Sequence, residues 1–351
     1  MKVVSVKTSS PYEVIIGQNI LHNSGLLIHG LLGGEKCAVI TDSNVAPLYL
    51  QTVLDSLQRA GYQTDSYILK AGEQSKNLAN LGDILEFLAL MGYTKTDCIV
   101  ALGGGVVGDI TGFAAAVYLR GIDFVQLPTS LLAAVDSSVG GKTAIDLLAG
   151  KNLAGAFKQP KLVLMDTTTL DTLPPEEFAN GMAETIKYGV LFDEDLFEAC
   201  ADISSNLEDV IARCVQYKAD IVEGDEFDRG QRKLLNLGHT IGHAIEKASG
   251  FTVPHGNAVA IGTVMISRAG EAMGYTQSGT ADRIIAMLKA NNLPTECGYP
   301  AERLSGFALS DKKREGQSIS LIIPEKIGKC FIKDEPIARL KDYAKEGTPK
   351  C

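Results

Sequence analysis

No basic excess, no C-x-x-C pair and no long charge-free apolar run occurs in this 351-residue sequence, and each absence removes a class of function. Lys and Arg number 33 against 42 Asp and Glu, a formal charge of -9, so the basic stripe of a nucleic-acid-binding surface is missing. An anionic ligand therefore needs a locally basic pocket. The seven cysteines, at 37, 98, 200, 214, 297, 330 and 351, are odd in number and scattered, the pattern of free thiols in a reducing cytosol. The N-terminal segment alternates like a strand and lacks the apolar core of a secretory signal. The most apolar stretch, Cys98 to Leu119, carries four glycines before Asp109 and then Thr111 and Gly112, which makes a poor membrane span. No repeat, low-complexity segment or long linker is present, so a cytoplasmic globular protein with no membrane and no nucleic-acid partner is expected.

What is there reads as two domains. From Lys36 the apolar runs CAVIT, TDSYIL and DCIVALGGG alternate with helical patterns over Ala46 to Ala60 and Asn77 to Met91, and the runs DFVQLPTS and KLVLMD follow. Strands alternating with helices imply a mainly parallel, Rossmann-like sheet covered on both faces. After Pro174-Pro175 the texture changes. Glu176 to Asp228 and Lys233 to Lys247 show apolar spacing of three and four, and only SISLIIPEKIGKCFI reads as a hairpin, with Glu325 to Gly328 near its turn. The expectation is an α/β N-terminal domain over 1-175, followed by a mainly α-helical C-terminal domain over 176-351.

The run from Ile99 leads an apolar strand into Gly103, Gly104 and Gly105, then Gly108 and Asp109, and on into a helix. Glycines at 103, 105 and 108 fit G-x-G-x-x-G, where missing Cβ atoms let the backbone approach a pyrophosphate and a helix start favours negative charge. Alone the motif is weak, since a tight strand-to-helix turn needs the same glycines. It also follows the third run, and no acid closes the next strand to grip a ribose. A dinucleotide's adenosine end then falls to Asp42 and Asn44, or to Gly72, Glu73 and Lys76, at strand C-termini. Asp42 and Asn44 equally suit a helix cap.

Histidine is scarce, yet three of five, His239, His243 and His255, lie within seventeen residues. His239 and His243 are four apart on one helix face. Two or three imidazoles with a carboxylate make a catalytic site for zinc or a similar ion. The missing acid is expected at Glu184, a solitary carboxylate in an otherwise apolar helix, with Lys187 three residues on. Structural histidines with a Glu184–Lys187 ion pair are the competing reading, but glycines and asparagine crowd beside these histidines where packing residues would stand. A third cluster, the segment from Leu127 to Asp146 with Lys151 and Asn152, groups hydroxyls, glycines, acids and lysines. With Lys187, Lys218, Arg232 and Asn236 it supplies several cations in an acidic chain, the means of holding a phosphate and a carboxylate.

The segments GEQSK (72-76), GGGVVGD (103-109), YLRG (118-121), PTSLLAAVDSSVGGKTAID (128-146), GKN (150-152), AETIKYG (183-189), LNLGHTIGHAIE (235-246), HGNAVAIG (255-262) and DKK (311-313) span nearly the whole chain. Together they resemble the 3-dehydroquinate synthase family of the sugar-phosphate cyclases. The resemblance implies metal ligands at Glu184, His239 and His255, with Zn2+ or Co2+ bound and His243 left to contact substrate. It implies NAD held by Asp42, Asn44, Glu73, Lys76, Gly104, Gly105, Val106, Asp109, Thr129, Ser130, Lys142, Lys151, Thr169 and Thr172. The implied substrate, 3-deoxy-D-arabino-heptulosonate 7-phosphate, meets Asp136, Lys142, Lys151, Asn152, Lys187, Lys218, Arg232, Asn236, His243 and one lysine of the Lys312-Lys313 pair. Catalytic roles are implied for Asp136, Lys142, Asn152, Lys187 and His243. Arg120 is the residue expected to reach a neighbouring subunit's phosphate, hence a homodimer. The implied activity is a phosphate-eliminating lyase reaction of the shikimate pathway. Rivals are another cyclase such as 2-deoxy-scyllo-inosose synthase, expected to alter the DSSVGGKTAID segment, a glycerol-dehydrogenase-like oxidoreductase that consumes NAD stoichiometrically, and a non-catalytic binding protein.

Overall fold

The protein, seen in a computed structural model, is described over residues 1-308, 314-315 and 318-348. Two compact units form it, Met1–Pro174 with Lys218–Phe227, and Pro175–Tyr217 with Asp228–Cys351. Ten residues from the later half of the chain, 218-227, thus group with the first unit.

The first unit opens with an antiparallel pair, β1 (Lys2–Val6) and β2 (Tyr12–Gly17), where the sequence suggested one strand. Next come α1 (Ser24–Leu32), β3 (Lys36–Asp42), α2 (Gln51–Arg59), β4 (Gln63–Leu69), α3 (Leu78–Leu90), β5 (Cys98–Gly103), α4 (Gly105–Val117), β6 (Asp123–Pro128), β7 (Lys142–Leu147), β8 (Gly150–Phe157) and β9 (Leu162–Asp166). Seven strands make one sheet in the order β1-β2-β9-β6-β5-β3-β4, parallel throughout except at β1. Strand residues alternate between two cores. Cys37, Val39, Cys98, Val100 and Leu102 pack on one face with Ile28, Val53 and Leu57, while Ala38, Ile40 and Ile99 pack on the other with Ile84, Leu88 and Ile110. Every residue of β5 is buried, as a central parallel strand requires. From β3 the chain moves out to β4 and returns to β5 on the other side of β3, so the strand order reverses between β3 and β5. Open α/β sheets hold ligands beyond the strand ends at such a point. A separate hairpin of β7 and β8 was not expected from sequence, because its polar and glycine-rich residues show no apolar alternation.

The second unit is mainly helical: α5 (Pro175–Phe192), α6 (Glu194–Ala199), the first part of α7 (Leu207–Gly224), α8 (His239–Ala248), α9 (His255–Ala272), α10 (Thr280–Ala290) and α11 (Ala301–Ala308). Three strands follow, β10 (Arg314–Glu315), β11 (Ser318–Lys326) and β12 (Lys329–Pro336), with β11 and β12 forming the expected hairpin, and α12 (Leu340–Gly347) closes it. Thirteen of the eighteen residues of α9 are buried, the mark of a central helix. One expectation needs correction. Lys233 to Lys247 is not a single helix: a 3-10 turn over Gln231–Asn236 ends at Leu237, Gly238 takes a left-handed conformation with φ +76°, and α8 starts at His239. A side chain at Gly238 would also run into Thr263 and the Val259 carbonyl of α9, so glycine is required twice over. Among the described residues no helix is long and apolar enough to cross a membrane, and no described cysteine is in a disulfide.

Candidate functional site

In the second unit the break at Gly238 and the loop before Pro254 place His239 and His255 at the first positions of two packed helices, and α5 brings Glu184 to them. Glu184 is fully buried. Its Oε2 pairs with Lys187 one turn on, itself 1% exposed, while its Oε1 lies 3.3 Å from His255 Nε2 and 3.6 Å from His239 Nε2. Tetrahedral bonds of about 2.1 Å put neighbouring donors roughly 3.4 Å apart, so both separations from Glu184 Oε1 suit a zinc-like ion. The wider donor set, all within 4.8 Å of one another, is Glu184, His239 and His255. His243 stands one turn along α8, its ring centroid 5.6 Å from that of His239, and belongs to no set with Glu184.

Electrostatics agree with a cation at this centre. Burial pushes the His255 imidazole down, but hydrogen bonding to Glu184 and Glu246 and their negative charge outweigh it and hold its pKa up at about 9. A place where two carboxylates retain a proton on imidazole is one where a divalent ion is welcome in the proton's stead. On the 3-10 turn before the break, Arg232 is buried and Asn236 half-buried, both in the run that leads to His239.

In the first unit most of the expected nucleotide residues lie just after strand C-termini, while Lys142 and Lys151 lie at the starts of β7 and β8. Gly104 caps α4, and Cβ atoms at Gly104 and Gly105 would approach the Ser130 and Ser137 hydroxyls at 3.3 and 3.1 Å, so these bare positions leave the first amides of α4 approachable. Thr129 N–H closes on the Gly103 carbonyl and Val106 lies in the first turn of α4. The buried Lys76 ammonium lies 2.9 Å from Glu73, 3.1 Å from Asp109 and 3.9 Å from Asp146, which raises its pKa despite burial. Burial, opposed by Lys76 and aided by Glu73 and Asp146, pushes the Asp109 carboxyl up to about 6. Asp42 closes the turn after β3, accepting from Asn44 N–H at 2.8 Å and Val45 N–H at 3.1 Å, while the helical turn that follows is capped at Val45 without a side-chain hydrogen bond. Thr169 and Thr172 sit on a 3-10 turn after β9, within reach of the Tyr49 hydroxyl.

Of the expected substrate residues in this unit, Lys218 donates to Asp136 at both its backbone oxygen, 2.5 Å, and its carboxylate, 2.7 Å. Lys142 starts β7, and Lys151 and Asn152 start β8, where Asn152 has φ +55° and its N–H donates to Asp146 at 2.8 Å. Arg120 is exposed on the turn after α4. Lys312 lies outside the described residues.

Two residues escaped the sequence reading. Glu246 is buried with Oε2 3.6 Å from His255 Nδ1, and Asn180 accepts a hydrogen bond from Gly256 N–H at the start of α9. The signal for Glu246 was present, an acid three residues past His243 on an apolar helix. Asn180 gave none.

A parallel sheet with a glycine loop at its switch point, together with a two-histidine, one-carboxylate centre at helix starts, defines a metal- and nucleotide-dependent enzyme. The family model described as 3-dehydroquinate synthase N-terminal matches residues 66–180, and that described as 3-dehydroquinate synthase C-terminal matches residues 181–314. The chain belongs to the 3-dehydroquinate synthase family. It is 41% identical to the 3-dehydroquinate synthase of Streptococcus suis (strain 05ZYH33), with 98% of this chain and 99% of that protein covered. It is 46% identical to that of Acidithiobacillus ferrooxidans (strain ATCC 53993 / BNL-5-31), with 92% of each covered. The fold is also that of 2-deoxy-scyllo-inosose synthase solved with carbaglucose-6-phosphate, NAD+ and Co2+, at TM-score 0.88 and 24% identity over 99% of this chain and 100% of that one. Identity above 40% along the whole chain to 3-dehydroquinate synthases sets aside the rival cyclase, whose likeness extends to the fold alone. The chain is accordingly a lyase of the shikimate pathway that uses cofactors.

Proposed function

We propose that the chain converts 3-deoxy-D-arabino-heptulosonate 7-phosphate to 3-dehydroquinate and phosphate as a cytoplasmic homodimer, with Glu184, His239 and His255 holding Zn2+ or Co2+ and NAD bound at the strand ends of the first unit. The observation that carries this reading is the donor set: Glu184 Oε1 lies 3.3 and 3.6 Å from the two imidazole nitrogens, all three donors lie within 4.8 Å of one another, and the second carboxylate oxygen is already taken by Lys187. The α/β unit is read as the NAD-binding domain and the helical unit as the metal- and substrate-binding domain. NAD supplies a hydride acceptor restored within each turnover, and the metal a Lewis acid beside the hydroxyl that is oxidised.

The chain's own residues then position and exclude. Lys187 holds Glu184 Oε2, which keeps Oε1 turned to the two imidazoles and offsets a buried negative charge. Arg232, Lys142, Lys151 and Lys218 are cations for the substrate's phosphate and carboxylate, with Lys312 or its neighbour added from the family pattern. Asn236, Asn152 and His243 offer neutral hydrogen-bonding groups to its hydroxyls, and Asp136 fixes Lys218. Once a ring carbon has become a ketone, the adjacent C–H is acidified, phosphate departs by elimination, and ring opening and aldol closure follow after re-reduction. Cations that grip the phosphate act by placement. Arg120, exposed and outside these groups, is assigned to the partner subunit's phosphate.

Product identity tests the reading. Incubation with the heptulosonate phosphate, NAD and Co2+ is expected to give a carbocycle with the mass and retention of 3-dehydroquinate. A different carbocycle, or oxidation without ring closure, contradicts it.

A further inference from the structure

The two ligand imidazoles present the same nitrogen to Glu184 Oε1: Nε2 of His239 at 3.6 Å and Nε2 of His255 at 3.3 Å. For His239 the reason is the backbone around it. Its Nδ1 lies 3.0 Å from the Leu237 carbonyl, an oxygen that only accepts, so Nδ1 carries the hydrogen and Nε2 keeps its lone pair. His255 begins α9, and among the described residues no backbone carbonyl meets its Nδ1. What faces its Nδ1 is the Glu246 carboxylate, Oε2 at 3.6 Å.

Glu246 lies on α8, seven residues past His239 and three past His243, on the same helix face as both. It is 3% exposed, and an acid withdrawn so far from water needs a positive or hydrogen-donating partner. On the reading that Glu184, His239 and His255 hold the ion, we infer that Glu246 is a positioning residue for His255: its carboxylate accepts the Nδ1 hydrogen, fixes the tautomer with Nε2 bare, and holds the ring towards Glu184. It does for His255 what the Leu237 carbonyl does for His239, and as a carboxylate it also makes the imidazole a stronger donor. The donors of His243, Glu246 and His255 lie within 4.8 Å of one another as well, so a second ion is the competing use of Glu246.

Metal-free protein titrated with Co2+ against a chelator of known affinity separates these. Wild type is expected to take one Co2+ per chain. Glu246→Gln is expected to bind it about 10- to 100-fold more weakly, the usual cost of removing such a partner, with altered visible absorption of the bound Co2+ and an unchanged melting temperature of the metal-free form. Glu246→Asp, which keeps the charge, is expected to fall between, and it carries the test if the Gln variant does not fold. Equal affinity in Glu246→Gln overturns the inference. So do two Co2+ per wild-type chain with one lost in the variant, or weaker binding with a wild-type spectrum and a lowered melting temperature. A wild type that takes no Co2+ removes the metal reading on which the inference rests.

Discussion

At the scale of single residues, the first unit keeps a buried ammonium among three acids, and the balance is not neutral. Asp109 shows it: burial holds its carboxyl near 6, against an ordinary 3.8, although Lys76 pulls the other way. A raised carboxyl means that the folded protein holds this proton more tightly than the unfolded chain. The stability it contributes is full below the ordinary value and is lost as pH rises through 6. At neutral pH the ionised group therefore costs on the order of 3 kcal/mol at most, less where water screens it. Asp109→Asn in nucleotide-free protein is expected to melt higher than wild type at about pH 7.5, with the gain roughly halved near pH 5. Equal melting at both would show that Lys76 alone neutralises the site. The same scale shows what sequence left open. Spacing of four put His239 and His243 on one face without ranking them. The ranking comes from the Leu237 carbonyl beside His239 Nδ1 and from Glu184 across from it, both matters of backbone direction that no residue pattern states.

At the scale of elements, strands β3, β5 and β6 were legible because apolar runs ending near glycine or a hydroxyl residue have few other uses, and β4, a more polar QTDSYIL, was legible from its place between two helical patterns. The β7–β8 hairpin was not, since Lys142, Thr143, Gly150, Lys151 and Asn152 are polar or lack a side chain and the hairpin shows no apolar repeat. The break before α8 was missed because Gly238 sits inside a sequence that otherwise keeps helical spacing. That break sets the direction of His239. Gly238→Ala places a Cβ in the left-handed region, costing about 1–2 kcal/mol, and against the Val259 carbonyl 2.6 Å away. It is expected to lower the stability of the protein in urea by at least about 2 kcal/mol and to weaken Co2+ binding together with it. Unchanged metal affinity in a destabilised variant would separate the break from the centre.

At the scale of the whole molecule, an acidic chain of net charge -9 carries Lys76, Lys142, Lys151, Lys187, Lys218 and Arg232 in the segments that the family resemblance assigns to ligand binding. Family membership rests on matches along nearly the entire length, and the two units carry between them a nucleotide-type strand end and a metal-type donor set. In the proposed reaction hydride is removed and then returned, which would couple NAD, metal and phosphate loss in a way no simple dehydrogenase shares. Phosphate release from 3-deoxy-D-arabino-heptulosonate 7-phosphate, followed with NAD held far below substrate and with or without chelator, tests that coupling directly. Many phosphates per NAD, abolished by the chelator and restored by Zn2+ or Co2+, are expected. NADH accumulating one for one with substrate, or release that ignores the chelator, would contradict it.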